Sequence, residues 1–146
     1  MKRNKFIKTC SLGCIGMTTI GSVMQGCSSS KMINSTLEGD ELILALSEFE
    51  LIKKEKKSFY PFIIIQNAQL KYPIAVYRFG DSDYSVMLMR CTHQGTELRA
   101  FGSKLQCPAH GSEFGNRGSV SNGPASETLR HFPFTLTPEQ LIIKLK

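Results

Sequence analysis

The chain holds only three histidines in 146 residues, and none belongs to a recognisable Ser-His-Asp arrangement. It lacks a glycine-rich loop of the kind that cradles phosphate, and it lacks a dinucleotide-binding fingerprint. Hydrolytic triads, nucleotide hydrolysis and nicotinamide-linked hydride transfer are therefore set aside. No stretch of two helical turns or more carries an amphipathic pattern, which argues against a helical architecture. The stretch near the N terminus, Thr9 to Met24, is weakly apolar and shorter than the ~18–20 residues a membrane-crossing helix needs. Internal repeats and long low-complexity runs are missing as well.

Clustered charge is also scarce. The formal net charge is +6, but Lys2, Arg3, Lys5 and Lys8 lie at the start with no acidic neighbour, and without them the balance falls to +2. Phosphate backbones want a clustered basic face, so nucleic acid is not the expected partner. The one dense basic run, Lys53-Lys54-Glu55-Lys56-Lys57, reads as a solvated loop. Proximity to anionic lipid or to an acidic protein partner is the other option. Hydrophobic content of 41% and charged content of 21% are ordinary for a folded domain, and the length allows one domain with appendages.

The first residues have the layout of an export signal. A basic start is followed by the uncharged stretch Thr9 to Met24, then Gly26-Cys27 and Ser28-Ser29-Ser30. Met24-Gln25-Gly26-Cys27 resembles a bacterial lipobox, with Met24 where Leu is usual and Gln25 where a small residue is usual. That resemblance implies lipidation of Cys27; an uncleaved N-terminal anchor is the alternative. Arg3-Asn4-Lys5-Phe6-Ile7-Lys8 resembles a twin-arginine signal with Asn4 in the second Arg position. The expected organisation is a signal over 1–27, a polar tether over 28–40, and a folded body over 41–146. The expected location is the periplasmic side of a bacterial membrane.

Short strand-like runs punctuated by Gly and Pro fill the body. They are Leu42 to Leu46, Phe62 to Ile65, Ile74 to Phe79, Ser85 to Met89, Lys104 to Gln106, Leu129 to Leu136 (interrupted by Pro133) and Leu141 to Leu145. Thr137-Pro138-Glu139-Gln140 reads as a turn. The expected class is all-β, an antiparallel sandwich or small barrel. Met87 and Met89 read as strand packing, and His131, between Arg130 and Phe132, is given no role.

Of five cysteines, Cys10, Cys14 and Cys27 lie in or end the leader. Cys91 and Cys107 remain, and each sits beside a histidine, in Cys91-Thr92-His93 and Cys107-Pro108-Ala109-His110-Gly111-Ser112. An exported domain with two cysteines normally suggests a disulfide, but thiolate and imidazole in tight turns read more directly as metal ligands. Structural zinc also uses Cys2His2 sets. The short C-x-H half and the trailing Gly-Ser are not zinc-finger spacing.

The pattern C-x-H…C-x-x-H-G-S resembles the Rieske [2Fe–2S] family. The resemblance covers residues 85–134 and runs on through Glu113-Phe114, Gly118 and Gly123-Pro124-Ala125. It implies a Rieske-type β fold with a cluster-binding subdomain of two loops, and one [2Fe–2S] cluster per chain. Cys91 and Cys107 would hold one iron, and His93 and His110 the other. Neutral imidazoles in place of two thiolates make electron uptake easier, with potentials from about −150 to +300 mV. Gly95 and Gly111 are expected to let each loop turn tightly and to bring N–H donors toward sulfur. Pro108 stiffens the second loop. Gly123 and Pro124 resemble the loop that shields the cluster from water, and Ser112 matches the family's cluster-facing serine.

The departures are informative. Quinol-oxidising members carry a loop-bracing disulfide where this chain has Thr96 and Ala109. A tyrosine that hydrogen-bonds a Cys sulfur is Phe114 here. Ser112 without the tyrosine implies an intermediate potential. The resemblance thus implies an electron carrier outside the cytoplasmic membrane, passing single electrons between a membrane donor and a cytochrome or other redox partner. A subunit of a quinol-oxidising cytochrome bc-like complex, or of a molybdenum oxidoreductase such as arsenite oxidase, is the alternative. In the quinol case a ligand His would couple proton to electron, so the potential would fall as pH rises past its pKa. A complete Rieske oxygenase is excluded, because its mononuclear iron needs two more His and a carboxylate in a separate domain. The export signal argues against a cytoplasmic ferredoxin. A stand-alone enzyme is the less favoured reading.

Overall fold

A computed structural model of the chain describes residues 30–53 and 56–146; the leader and Cys27 lie outside them. The strands in chain order are β1 (Lys31–Asn34), β2 (Thr36–Glu38), β3 (Glu41–Ala45), β4 (Glu50–Lys53), β5 (Lys56–Phe59), β6 (Phe62–Gln66) and β7 (Ile74–Arg78). They continue as β8 (Tyr84–Leu88), β9 (Arg99–Phe101), β10 (Lys104–Gln106), β11 (Glu113–Phe114), β12 (Val120–Asn122), β13 (Phe134–Leu136) and β14 (Gln140–Lys144). Among the described residues the only helix is one 3₁₀ turn, Leu46–Phe49.

A central sheet in the order β1-β6-β7-β8 separates two cores. On one face Ile63, Ile65, Ile74, Val76 and Val86 pack against Leu42, Leu44, Leu141 and Ile143 of the second sheet, β13-β14-β3-β2. On the other face Phe62, Ile64, Ala75, Tyr77, Met87 and Met89 meet Leu98, Leu105, Phe114, Cys91 and Cys107 of a small sheet, β12-β11-β10-β9, and its loops. Burial on both faces explains why β6 and β7 read as unbroken apolar runs rather than as an alternation. Their Ile and Val side chains suit a pleated surface filled on both sides. The central sheet is thus the platform against which the small subdomain, and with it both remaining cysteines, is fixed.

The class is nearly all-β, as expected, but two local readings change. Residues 31–38, expected within a tether, form β1 and β2. β1 runs parallel to β6 from Lys31↔Ile63 to Asn34↔Gln66, and β2 pairs with β3. Of the apolar side chains there only Ile33 and Leu37 pack inward, too brief an alternation to stand out among Ser, Asn and Lys. Of the basic run, expected as a loop, Lys53 ends β4 and Lys56 and Lys57 begin β5, an antiparallel ribbon with Glu50 opposite Phe59 and Lys53 opposite Lys56; Lys54 and Glu55 lie outside the described residues. A ribbon held by backbone pairing needs no apolar face, and Ile52 on it is 80% exposed. The Leu129–Leu136 run changes sheet at Pro133. Before it, Phe132 N–H donates to the Val86 carbonyl at 2.9 Å; after it, β13 pairs with β14. The turn at Thr137 to Gln140 is closed by Thr137 N–H on the Gln140 carbonyl at 2.8 Å.

Candidate metal centre

Strand β8 leads through Met89 and Arg90 into the first ligand loop, and β10 leads directly into the second. The two loops are the tips of hairpins built to one plan. In the first, Leu98 N–H donates to the Met89 carbonyl, Arg90 bridges Glu97, and Cys91 N–H donates to the Thr96 carbonyl at 2.8 Å. In the second, Leu105 pairs with Phe114, Gln106 with Glu113, and Cys107 N–H donates to the Ser112 carbonyl at 2.8 Å. Each tip is then closed by a glycine N–H on the Cys carbonyl, Gly95 to Cys91 at 2.9 Å and Gly111 to Cys107 at 3.0 Å. Both glycines sit at positive φ, 75° and 77°, where a side chain is strained. Six residues from Cys to hydroxyl make up each loop. The histidine stands two residues after Cys91 and three after Cys107.

This frame sorts the side chains by type. Cys91 and Cys107 are free thiols, 1% and 2% exposed. His93 and His110 lie at the exposed tip, with ring centroids 5.1 Å apart and planes at 85°. Burial raises the Cys107 thiol. The N–H groups of Ala109 and His110, the Cys91 thiol and the Thr96 hydroxyl outweigh that effect, so it ionises below its ordinary range. Gly95 and Gly111 serve the turns as expected, but their own N–H groups go to carbonyls. The N–H donors that reach Cys107 sulfur belong to Ala109 and His110.

The segment carrying Gly123 and Pro124 is tied to both hairpins. The Asn122 amide donates to the Gly111 carbonyl at 3.0 Å, and the Ala125 N–H donates to the Ser112 hydroxyl at 3.0 Å. The Thr92 hydroxyl donates to the Glu127 carbonyl at 2.8 Å. The Gly123-Pro124 bond is cis. Ser112 and Phe114 are fully buried, with Phe114 in the core under the loops. Met87 and Met89 fill that same core, as expected for strand packing. His131 is exposed and bridges Met87. Sequence reasoning missed Thr92, Asn122 and the contact of Thr96 with Cys107. For Thr96 a signal existed in the shared Gly-Thr and Gly-Ser endings of the loops; for Thr92 and Asn122 there was none.

The donor set is two thiols behind and two imidazoles in front, rather than four groups around one point. Among the described residues no three His, Cys, Asp or Glu side chains converge as a single metal ion would require. The free thiols, the N–H groups aimed at sulfur and the paired imidazoles fit a two-iron cluster with mixed ligation.

Comparison with known proteins agrees. The Rieske [2Fe–2S] domain family model matches residues 49–133, more than half of the chain. The chain belongs to the Rieske [2Fe–2S] family; it is an electron-transfer protein whose domain binds a [2Fe–2S] cluster. No curated protein matches it in sequence. Among solved structures it is similar to the cyanobacterial plasma membrane Rieske protein PetC3 from Synechocystis PCC 6803, with 29% identity over 57% of this chain and 86% of that one, at a TM-score of 0.49. It is also similar to the Sphingomonas yanoikuyae B1 ferredoxin, with 22% identity over 57% of this chain and 84% of that one, at a TM-score of 0.43. The ferredoxin of carbazole 1,9a-dioxygenase from Nocardioides aromaticivorans IC177 shares 21% identity over 51% of this chain and 77% of that one, at a TM-score of 0.40. Among the described residues no helix is long and apolar enough to cross a membrane.

Proposed function

We propose that this chain is a membrane-associated electron carrier that passes single electrons to or from a membrane or periplasmic redox partner. Cys91 and Cys107 would hold one iron, and His93 and His110 the other. A bound [2Fe–2S] cluster supplies reversible one-electron transfer with no substrate bond made or broken. The chain's residues do the rest. The buried cysteines keep water from the sulfur side, and N–H groups of Ala109 and His110 stabilise negative charge there. Gly95 and Gly111 hold the turns, Pro124 covers the flank, and Ser112 faces the centre from beneath. The observation that carries this reading is the exposed pair His93 and His110, 5.1 Å apart. It is the short path by which a docked partner would reach the centre.

The leader supports the membrane side of the proposal. A lipid on Cys27, or an uncleaved anchor, would hold the domain at the periplasmic face of a bacterial membrane. Because β1 begins at Lys31, few residues would separate Cys27 from the folded body, which keeps the carrier near its membrane partner. Intact mass of the chain isolated from membranes tests this: a diacylated or triacylated N-terminal Cys27 supports it, and an unmodified, freely soluble chain overturns it.

The exposed imidazoles also suit a hydrogen bond from a quinol, which keeps the quinol-oxidising or molybdenum oxidoreductase subunit as a second reading. A redox titration followed by electron paramagnetic resonance separates the two. An intermediate midpoint supports the carrier. A midpoint above about +200 mV, near the top of the Rieske range, supports quinol oxidation.

A further inference from the structure

We propose that the end of the domain opposite the ligand loops rests on the surface of an anionic lipid bilayer, so that His93 and His110 face away from the membrane. The inference rests on the membrane association proposed above and adds which way round the domain sits.

Strand direction defines the two poles. β8 and β10 run into the ligand loops, so both begin at the far pole. The β7–β8 turn lies there, closed by Phe79 N–H on the Asp83 carbonyl at 2.8 Å. Gly102 and Ser103 of the β9–β10 turn line one small cavity with Arg78 and Phe79, which places that turn at the same pole. The β4–β5 ribbon is rooted beside it, with the Arg78 guanidinium 4.0 Å above the Phe59 ring.

Two independent features mark this pole. Among the described residues five large apolar side chains are well exposed, and four of them stand here: Ile52 and Phe59 on the ribbon, Phe79 and Phe101 at the turns. Cations lie along the rings, Arg78 on Phe59 and Arg117 on Phe79, each at 4.0 Å. Apolar side chains flanked by long basic ones suit the boundary between headgroups and acyl chains. Along the ribbon strands Lys53, Lys56 and Lys57 outnumber Glu50, which favours anionic headgroups.

The second feature is where the leader joins the body. β6 runs in the direction of β8, and β1 lies parallel to β6. β1 therefore points at the ligand loops, and the chain before it arrives from the far pole. Lys31 fixes that junction, with its Nζ 2.6 Å from the Glu48 carboxylate just ahead of β4. A lipid on Cys27, or an uncleaved anchor, draws this same pole to the bilayer. The histidines then stand in water, and what docks on them is a protein domain in the aqueous phase, not a quinol within the bilayer.

The test uses the full chain carrying its cluster, in vesicles of phosphatidylglycerol and phosphatidylcholine with brominated or plain acyl chains. The chain has no tryptophan, so Ile52→Trp, Phe101→Trp and Gln69→Trp each add a single reporter at an exposed position. Gln69 lies between β6 and β7, at the ligand pole. Bromine is expected to remove most of the emission at positions 52 and 101 and to leave that at 69 unchanged. Quenching at 69 as strong as at 52 overturns the inference, as does no quenching at any position; a chain that still floats with the vesicles leaves membrane association standing. A chain that does not float overturns both. A blue shift at 52 that grows with chain concentration in the absence of lipid shows that a second copy covers the pole, and overturns the inference. Should a variant fail to fold, hydrogen exchange of the unsubstituted chain decides. Slower exchange in β4, β5 and the β9–β10 turn on adding vesicles supports the inference; unchanged exchange there overturns it.

Discussion

The Ala125 N–H donates to the Ser112 hydroxyl oxygen at 3.0 Å, so one side chain joins the covering segment to the second ligand loop. Because Ser112 accepts there, its own proton stays free to point at the centre. Both groups are buried, where an unpaired donor costs about 1–3 kcal/mol. Ser112→Ala therefore has two expected effects: a lower midpoint from the lost donor, and faster cluster loss from the orphaned Ala125 N–H. Potentiometry and the decay of visible circular dichroism in air measure them. A variant matching the parent in both would rule out this role.

Asn122 makes a contrasting case. Its amide reaches the Gly111 carbonyl at 3.0 Å and no sulfur. Asn122→Ala removes an exposed hydrogen bond worth about 1 kcal/mol. The covering segment should open more often, and the cluster should bleach several-fold faster, with the midpoint unchanged. A midpoint shift as large as that of Ser112→Ala would show that Asn122 acts on the sulfurs after all.

Much of this arrangement was legible before the fold was known, because the ligand types carry their own chemistry. A thiolate and an imidazole two or three residues apart, ended by Gly-Thr or Gly-Ser, define a loop whatever surrounds it. β6, β7 and β8 were legible because double-sided burial demands long apolar runs. β1 and β2 were not, since each places one inward residue among polar neighbours and gains its stability from β6 and β3. The β4–β5 ribbon was hidden by its lysines, because backbone pairing leaves no trace in side-chain type. The equivalence of the hairpins was masked by the histidines, which sit two residues after one cysteine and three after the other. The matching hydrogen bonds of Cys91 with Thr96 and Cys107 with Ser112 appear only in three dimensions.

Tyr77 offers a test of the platform beneath the site. It is 3% exposed, stacks on Phe62 with ring centroids 4.9 Å apart, and its hydroxyl has no hydrogen-bond partner among the described residues. Burial pushes its phenol from 10.0 up to about 12. The folded chain therefore holds a proton that the unfolded chain releases above pH 10, so the group costs the fold no pH-dependent stability below pH 10 and lowers its stability as pH climbs toward 12. Tyr77→Phe should flatten that alkaline loss. At neutral pH it should stabilise the fold by about 1 kcal/mol, since a buried unpaired hydroxyl is removed. Urea unfolding at neutral pH and again between pH 10 and 12 checks both; an equally steep alkaline loss in the variant would contradict the assignment.

The central claim is that thiolates from Cys91 and Cys107 and imidazoles from His93 and His110 share one diiron centre. Electron-nuclear double resonance on the reduced, anaerobically isolated full chain tests it most directly. The account predicts nitrogen couplings from two inequivalent imidazoles on a single paramagnetic centre, with one lost in His93→Ala or His110→Ala wherever the centre survives. A chain that gives no paramagnetic signal on reduction and contains zinc in place of iron and acid-labile sulfide would contradict it.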